Sequence, residues 1–436
     1  MRVVQLIPGT ANTFYCQNCM RDAGAVRTMR RAGHDVTMVP LYLPMLGSGR
    51  ELVRDTPIFF GGINVYLQQK WSLFRRTPRI VDRLFDARGL LRFVAHHSGL
   101  TDARELAATM LSMLRGDEGH QSKEYHRLID WLVERDRPDV VVLSNVLLCG
   151  FVPSLRKRLD ATIVCLLEDE DEFLDELPDG ARQEAERIIV DHCKGIDGFV
   201  TCSRYYADVA RRRFGVPDER LTVIHNGIDI EQYAIAPQAP DPPVIGYLSR
   251  MHPDKGLDVL AEAFVKLKGD PAMRSVKLRI AGGQTPDDQP FVDRVRRMLE
   301  GANVMADVET LPNLEPDERV RFVQSLSVLS VPTRRPEAFG MFMLEALACG
   351  VPVVQPDHGA YGEVLGESGG GRLFPPGDVA ALAAGLRDVI EHHAAARQQA
   401  IAARSVIAER FNAAGMAGGM MKAYERAATG RRSQGA

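Results

Sequence analysis

Nowhere in its 436 residues does the sequence reach the roughly 18 uninterrupted apolar residues that a membrane-crossing helix needs, so no spanning segment is expected. The opening run, "MRVVQLIPG", is too short for a signal peptide and reads as a first β-strand ended by a Pro-Gly turn. An excess of one charge is missing as well: the formal net charge is −3 with 25% charged residues, and neither end carries an acidic or basic tail. Nucleic acid is therefore not an expected partner. Cysteine is too scattered for a disulfide framework, seven in all and an odd number, which fits reduced thiols in a cytoplasmic protein. Only Cys16 and Cys19, in "YCQNCMRD", lie close together. No second Cys-x-x-Cys completes the four ligands of a structural zinc, so the pair is expected to pack or to line a cleft, and no metal or cofactor is expected. Repeats of solenoid period are absent.

What the sequence does have is length, and alternation. The chain exceeds what one hydrophobic core usually supports, which favours two domains of roughly 150 to 250 residues. Short β-branched runs ("VVVLS", "TIVCLL", "GFVTCS", "VIGYLS", "VKLRIAG", "VPVVQP") alternate with helical segments such as "GLDVLAEAFVKLK". That pattern is the mark of parallel sheets joined by crossover helices, an α/β class. The Pro-rich "AIAPQAPDPP" of residues 234–243 separates two such halves, 1–236 and 244–415, and the helix-compatible residues 416–430 are expected to cross back to the first half. In doubly wound folds ligands sit beyond the carboxyl ends of the strands, so the loops after strands matter most.

One such loop is in "RRPEAFGMFMLEALACGVPVV", residues 334–354. With "VLSVP" as a strand and "GMFMLEALAC" as a helix closed by Gly350, Glu337 falls in the connecting loop and Glu345 in the helix. A helix starting at a strand's carboxyl end offers its unpaired N–H groups and positive dipole end to an anion, and the Phe339-Gly340 step lets backbone amides come close. Arg250 and Lys255, five apart in the loop after "VIGYL", have the spacing to straddle a diphosphate. Solvated loop and helix residues are the alternative for all four.

Residues 334–359 resemble the Glu-x7-Glu donor signature of the retaining glycosyltransferases of family 4 (group 1, glycogen-synthase-like), which have the GT-B fold of two Rossmann-like domains facing across a cleft. "GYLSRMHPDKGLDVLAEAF" from Gly246, "HNGID" from His225 and "GRLFPPGDVAALAAGL" from Gly371 extend the resemblance over most of residues 199–430. It implies transfer of a hexose-type sugar from a nucleotide diphosphate sugar, with retention of configuration, to a sugar, lipid-linked or small-molecule acceptor. By the same resemblance Glu345 holds the ribose diol, and Glu337 faces the transferred sugar. The amides of Phe339, Gly340 and Met341 line sugar and phosphates, Arg250 and Lys255 stabilise the departing diphosphate, and Gly9, Gly282 and Asn313 border the donor.

Three stretches depart from the family pattern. "ETLPNLEP" has Pro312 where a Gly usually opens the nucleobase loop; "GAYGE" of residues 359–363 replaces Gly-Gly-x-Pro-Glu; and the first loop has only Gly9 before Asn18. Where many members place a histidine, the chain reads "CLLEDEDEFLDELPDG" from Cys165, which makes Glu168, or its neighbour Asp169, the candidate acid of the first half. The segment that opens at Lys70 and closes at Val94 carries seven Lys or Arg, two Asp and interleaved aromatics, a composition suited to the inner membrane surface. Rival readings are a non-catalytic nucleotide-sugar binding protein, a sugar-nucleotide epimerase or a phosphorylase on the same fold.

Overall fold

The computed structural model describes residues 1–9, 17–42, 51–53, 59–60 and 103–434; the segment from Lys70 to Val94 and Cys16 lie outside the described residues. Twelve described strands form two six-stranded sheets. The first is built from Arg2–Ile7 (β1), Asp35–Pro40 (β2), Val140–Leu143 (β3), Thr162–Leu167 (β4), Gly198–Thr201 (β5) and Leu221–Val223 (β6), in the order β2-β1-β3-β4-β5-β6. The second comprises Val244–Leu248 (β7), Lys277–Gly282 (β8), Val308–Pro312 (β9), Val328–Leu329 (β10), Val353–Pro356 (β11) and Gly371–Phe374 (β12), in the order β12-β11-β10-β7-β8-β9. Every pairing is parallel; Val3 lies opposite Val36 on one side and Val140 on the other, and Gly246 opposite Arg279 and Leu329. The central strands are apolar without alternation because helices cover both faces, and every residue of β3, β4 and β7 is buried.

The strand order fixes where a ligand fits. In the first sheet the chain turns from one side to the other between β1 and β3, and in the second between β7 and β10. Crossover helices diverge at such a switch point and leave a crevice beyond the carboxyl ends of the two strands. The loops that open there in the second sheet follow β7, with Arg250 and Lys255, and β10, with Glu337.

One apolar core runs through both halves and includes Leu143, Phe199, Tyr247, Phe339 and Phe342. A second lies on the other face of the first sheet, where Met416, Met420, Met421 and Tyr424 of the helix Ala413–Gln434 meet Val3, Val26, Met29 and Val142. The chain passes between the halves twice, and the two crossings lie side by side: the Ile228 N–H donates to the Phe411 carbonyl and the Ala413 N–H to the Ile228 carbonyl, both at 2.9 Å. The Pro-rich segment is tied to the second half, with the Ala236 N–H on the Cys349 carbonyl at 3.0 Å and the Gln324 amide on the Ala234 carbonyl at 2.8 Å. Among the described residues, no helix is long and apolar enough to cross a membrane.

Candidate active site

The loop after β7 is shaped from beneath. Tyr247, fully buried, brings its hydroxyl within 2.8 Å of the Arg250 carbonyl and 3.3 Å of the Lys255 carbonyl, which folds the five-residue spacing into one turn. Gly282 ends β8 against this turn with φ +139°; a Cβ there would stand 1.7 Å from the Ser249 oxygen, so only glycine fits. Asn313, also at positive φ, links the neighbouring loop by exchanging hydrogen bonds with the backbone of Gln284 at 3.0 and 3.1 Å. Gly282 and Asn313 thus shape the rim of the crevice. Arg250 is half-exposed and pairs at 3.0 Å with the buried Asp288, whose carboxylate is fixed by the Thr285 hydroxyl and N–H.

Lys255 is the hub. Its Nζ lies 3.0 and 3.2 Å from the oxygens of Glu172, which belongs to the first half, and 3.2 and 3.0 Å from those of Glu337. Burial alone would lower the lysine's pKa, but Glu337, Glu172 and Asp169 outweigh it and hold it well above the ordinary value. The cation is therefore permanent. Glu337 is 2% exposed, so its charge needs that partner.

After β10 the chain carries Glu337 to the helix Met341–Ala348, whose Phe339-Gly340 entry is bent by Gly340 at φ +84°. Phe339 is buried against the rings of His225 and Phe411, 6.1 and 6.2 Å away, which anchors the helix start next to the crossing segments. The Met343 N–H of this first turn donates to the Gly340 carbonyl at 3.0 Å. Glu345 is fully buried one turn on; its Oε1 pairs with Arg319 at 3.2 Å and meets the Tyr233 hydroxyl at 3.3 Å, while Oε2 has no hydrogen-bond partner. Burial raises its pKa and Arg319 opposes the rise.

On the first half, Gly9 lies two residues beyond β1 at φ +86°. Glu168 is enclosed: Arg21 donates to Oε2, Asn226 donates to Oε1 at 2.9 Å, and its own N–H donates to Glu170 at 2.8 Å. The acid that faces the second half is the next residue. Asp169, at φ +63°, accepts the Ala338 N–H at 3.0 Å, and burial with Glu337 and Glu172 nearby pushes its pKa well up. Sequence reasoning singled out the acidic cluster but not that Glu172 grips Lys255, nor that Arg319 pairs with Glu345; the only signal for Glu172 was its place in the cluster, and Arg319 carried none.

A second ion cluster joins the halves beside the cleft. Glu363, which keeps the acid of "GAYGE", meets His225 at 2.6 Å and accepts the Arg204 and Tyr205 N–H groups at the start of the helix Arg204–Phe214, 3.0 to 3.3 Å away. His225, Glu363 and Glu367 lie within metal-ligand reach of one another. Arg204 and Arg410 already neutralise Glu367, at 2.8 and 3.3 Å, so this is an ion-pair network between halves.

Residues 94–232 match the family described as Glycosyltransferase Family 4, and residues 230–406 match Glycosyl transferases group 1. The chain is 30% identical over 218 residues to the glycogen synthase of Mycobacterium tuberculosis, an overlap of 50% of this chain and 51% of that one. It is 26% identical over 217 residues to the D-inositol 3-phosphate glycosyltransferase of Mycolicibacterium smegmatis, 48% of each. The chain thus spans about half the length of the curated relatives it matches. Over nearly its whole length it superposes on sucrose-phosphate synthase of Thermosynechococcus elongatus, with TM-score 0.69, 16% identity and 98% of both chains covered. The Anabaena protein HepE, solved in complex with UDP, gives TM-score 0.67 at 17% identity over 97% of this chain and 99% of that one. Adjacent family matches, two facing parallel sheets and a switch-point crevice lined by the Glu-x7-Glu helix agree: the chain belongs to glycosyltransferase family 4 and has the GT-B fold.

Proposed function

We propose that the protein is a hexosyltransferase that moves a sugar from a nucleotide diphosphate sugar to a hydroxyl of a sugar, lipid-linked or small-molecule acceptor, with retention of configuration. The observation that carries this reading is the buried Lys255 at the β7–β10 switch point, paired with Glu337 and set beside a helix N-terminus. A permanent cation beside the positive end of a helix suits a leaving diphosphate, where negative charge grows in the transition state. Arg250 brings a second cation from the same turn. The unpartnered Oε2 of Glu345 is an acceptor suited to a ribose hydroxyl, and Glu337 stands where the transferred sugar would lie. HepE, with the same fold, was solved with UDP and with UDP-glucose, which supports a uridine-type donor.

With both Glu168 oxygens engaged by Arg21 and Asn226, the acceptor proton goes to the departing phosphate in this reading. The same closed network favours one rival, a protein that binds the donor without turning it over. A thermal-shift series with uridine, guanosine and adenosine diphosphates and their glucose and mannose esters tests the donor reading, since ligand at 100 times its dissociation constant adds about 2.7 kcal/mol. One base should stabilise the protein, and product analysis with that donor should show transfer or hydrolysis. No stabilisation by any of them removes the donor site; stabilisation without turnover selects the rival.

A further inference from the structure

The peptide plane that follows Glu337 is held by both halves of the molecule. Its carbonyl, from Glu337, accepts the Ala360 N–H of the second half at 3.0 Å. Its N–H, from Ala338, donates to Asp169 of the first half at 3.0 Å. The next carbonyl, from Ala338, accepts the Ser203 hydroxyl of the first half at 2.7 Å, with the Cys202 thiol at 3.5 Å. Ala338 is fully buried, so neither of its polar groups has water to fall back on. Ser203 and Asp169 sit at the carboxyl ends of β5 and β4, and both reach across to the same residue.

We propose that Asp169 and Ser203 are positioning residues: by gripping the two backbone polar groups of Ala338 they set the Glu337 carboxylate in the donor site, and do so only while the halves are closed. The inference rests on the donor reading for what Glu337 does, but the grip itself is independent of it. Separated halves leave the 337–338 backbone held only by the Ala360 N–H, so the carboxylate keeps its Lys255 partner but is no longer fixed from behind. Turnover is thereby tied to closure, and an open enzyme with donor bound is protected from using the donor on water. The Asp169 conformation fits this role, because a non-glycine residue at φ +63° is held there by its surroundings. Charged and titratable groups facing Asp169 include Glu337, Glu172, Lys255 and Glu168, with Cys202, Tyr205 and Tyr206 from the first half.

Ser203 also caps its helix, accepting the Tyr206 N–H at 3.0 Å, so a loss of stability alone would say nothing about the grip. The test therefore uses Ser203→Ala with Ser203→Thr, which keeps both hydroxyl roles, and Asp169→Ala with Asp169→Asn, whose amide oxygen still accepts from Ala338. Two readouts are taken on the full chain: hydrogen exchange of a peptide spanning residues 336–341, and steady-state kinetics with whichever sugar nucleotide the wild type turns over. The alanine variants should exchange that peptide faster and lose about 10- to 100-fold in kcat, the scale for a misplaced reacting group, with the donor KM within about twofold. The threonine and asparagine variants should recover most of both. Alanine variants with wild-type exchange at 336–341 overturn the grip. If the wild type turns over no sugar nucleotide, the functional reading fails while the exchange result still decides the inference.

Discussion

At the residue scale, the site works by compensating one buried charge with another. Lys255→Met should lower kcat/KM with the active donor by about 2–4 kcal/mol of transition-state stabilisation, the range for deleting one preorganised electrostatic group. A near-wild-type rate would put the diphosphate elsewhere. The two signature carboxylates should separate kinetically: Glu345→Gln raises the donor KM with kcat little changed, because ribose does not react, whereas Glu337→Gln lowers kcat. Equal effects in initial-rate assays would refute the division. Glu170 makes a different prediction. Burial pushes its pKa up to about 7 from 4.5, against the Tyr206 hydroxyl and the Glu168 and Val146 N–H groups, which favour the carboxylate. A raised acid stabilises the fold fully below its unfolded pKa and loses that contribution as pH rises toward the folded one. Between about pH 4.5 and 7 Glu170 should therefore cost the protein about 3 kcal/mol of stability. Glu170→Gln, which removes the titration but sets its NH2 against one of the donors that Glu170 accepts, should flatten that slope in urea melts.

At the scale of elements, tight backbone approaches hold the loops. Gly359 lies at φ +58°, and a Cβ there would come 2.4 Å from the Glu337 oxygen. Gly359→Ala should cost about 1–3 kcal/mol and lower kcat as well, because the atom it displaces is the carbonyl of Glu337, the proposed donor-site acid. Gly366→Ala, in the helix Tyr361–Ser368 with nothing within 4 Å, should be neutral or stabilising in the same melts. The strands and the two-sheet architecture were legible in the sequence, because buried parallel strands write themselves as unbroken β-branched runs such as "VVVL" and "VIGYL". The β7 turn and the β10 loop were legible because a charge spacing and a Glu-x7-Glu helix are local patterns. Partners distant in sequence were not. Glu172 with Lys255 and Ser203 with Ala338 are pairings set by how two sheets face each other, Arg319 with Glu345 by how two helices of the second half pack, and "EDEDE" reads as a solvated loop until β4 is seen to bury Glu168 and Glu170.

At the scale of the molecule, several sets of polar contacts join the two halves. Glu172 bridges to Lys255, Arg335 reaches Asp175 at 3.6 Å, Arg204 and His225 hold Glu363, and Ala338 is gripped by Asp169 and Ser203. On the proposed function a diphosphate would bind Lys255 and so compete with Glu172 for it. Removing that charge should loosen closure only when the donor is absent. Small-angle scattering of Glu172→Gln without ligand should give a larger radius of gyration than the wild type, and the nucleoside diphosphate that binds should bring it back to the wild-type value. Raising salt should open the wild type in the same direction but less, because these pairs are partly shielded from solvent ions. The crossings at Ile228 and Phe411, side by side and joined by two backbone hydrogen bonds, are the axis about which such opening would turn. Identical scattering of variant and wild type, with and without ligand, would mean that Glu172 neutralises Lys255 without contributing to closure, and that the Ala338 and Glu363 contacts hold the halves together by themselves.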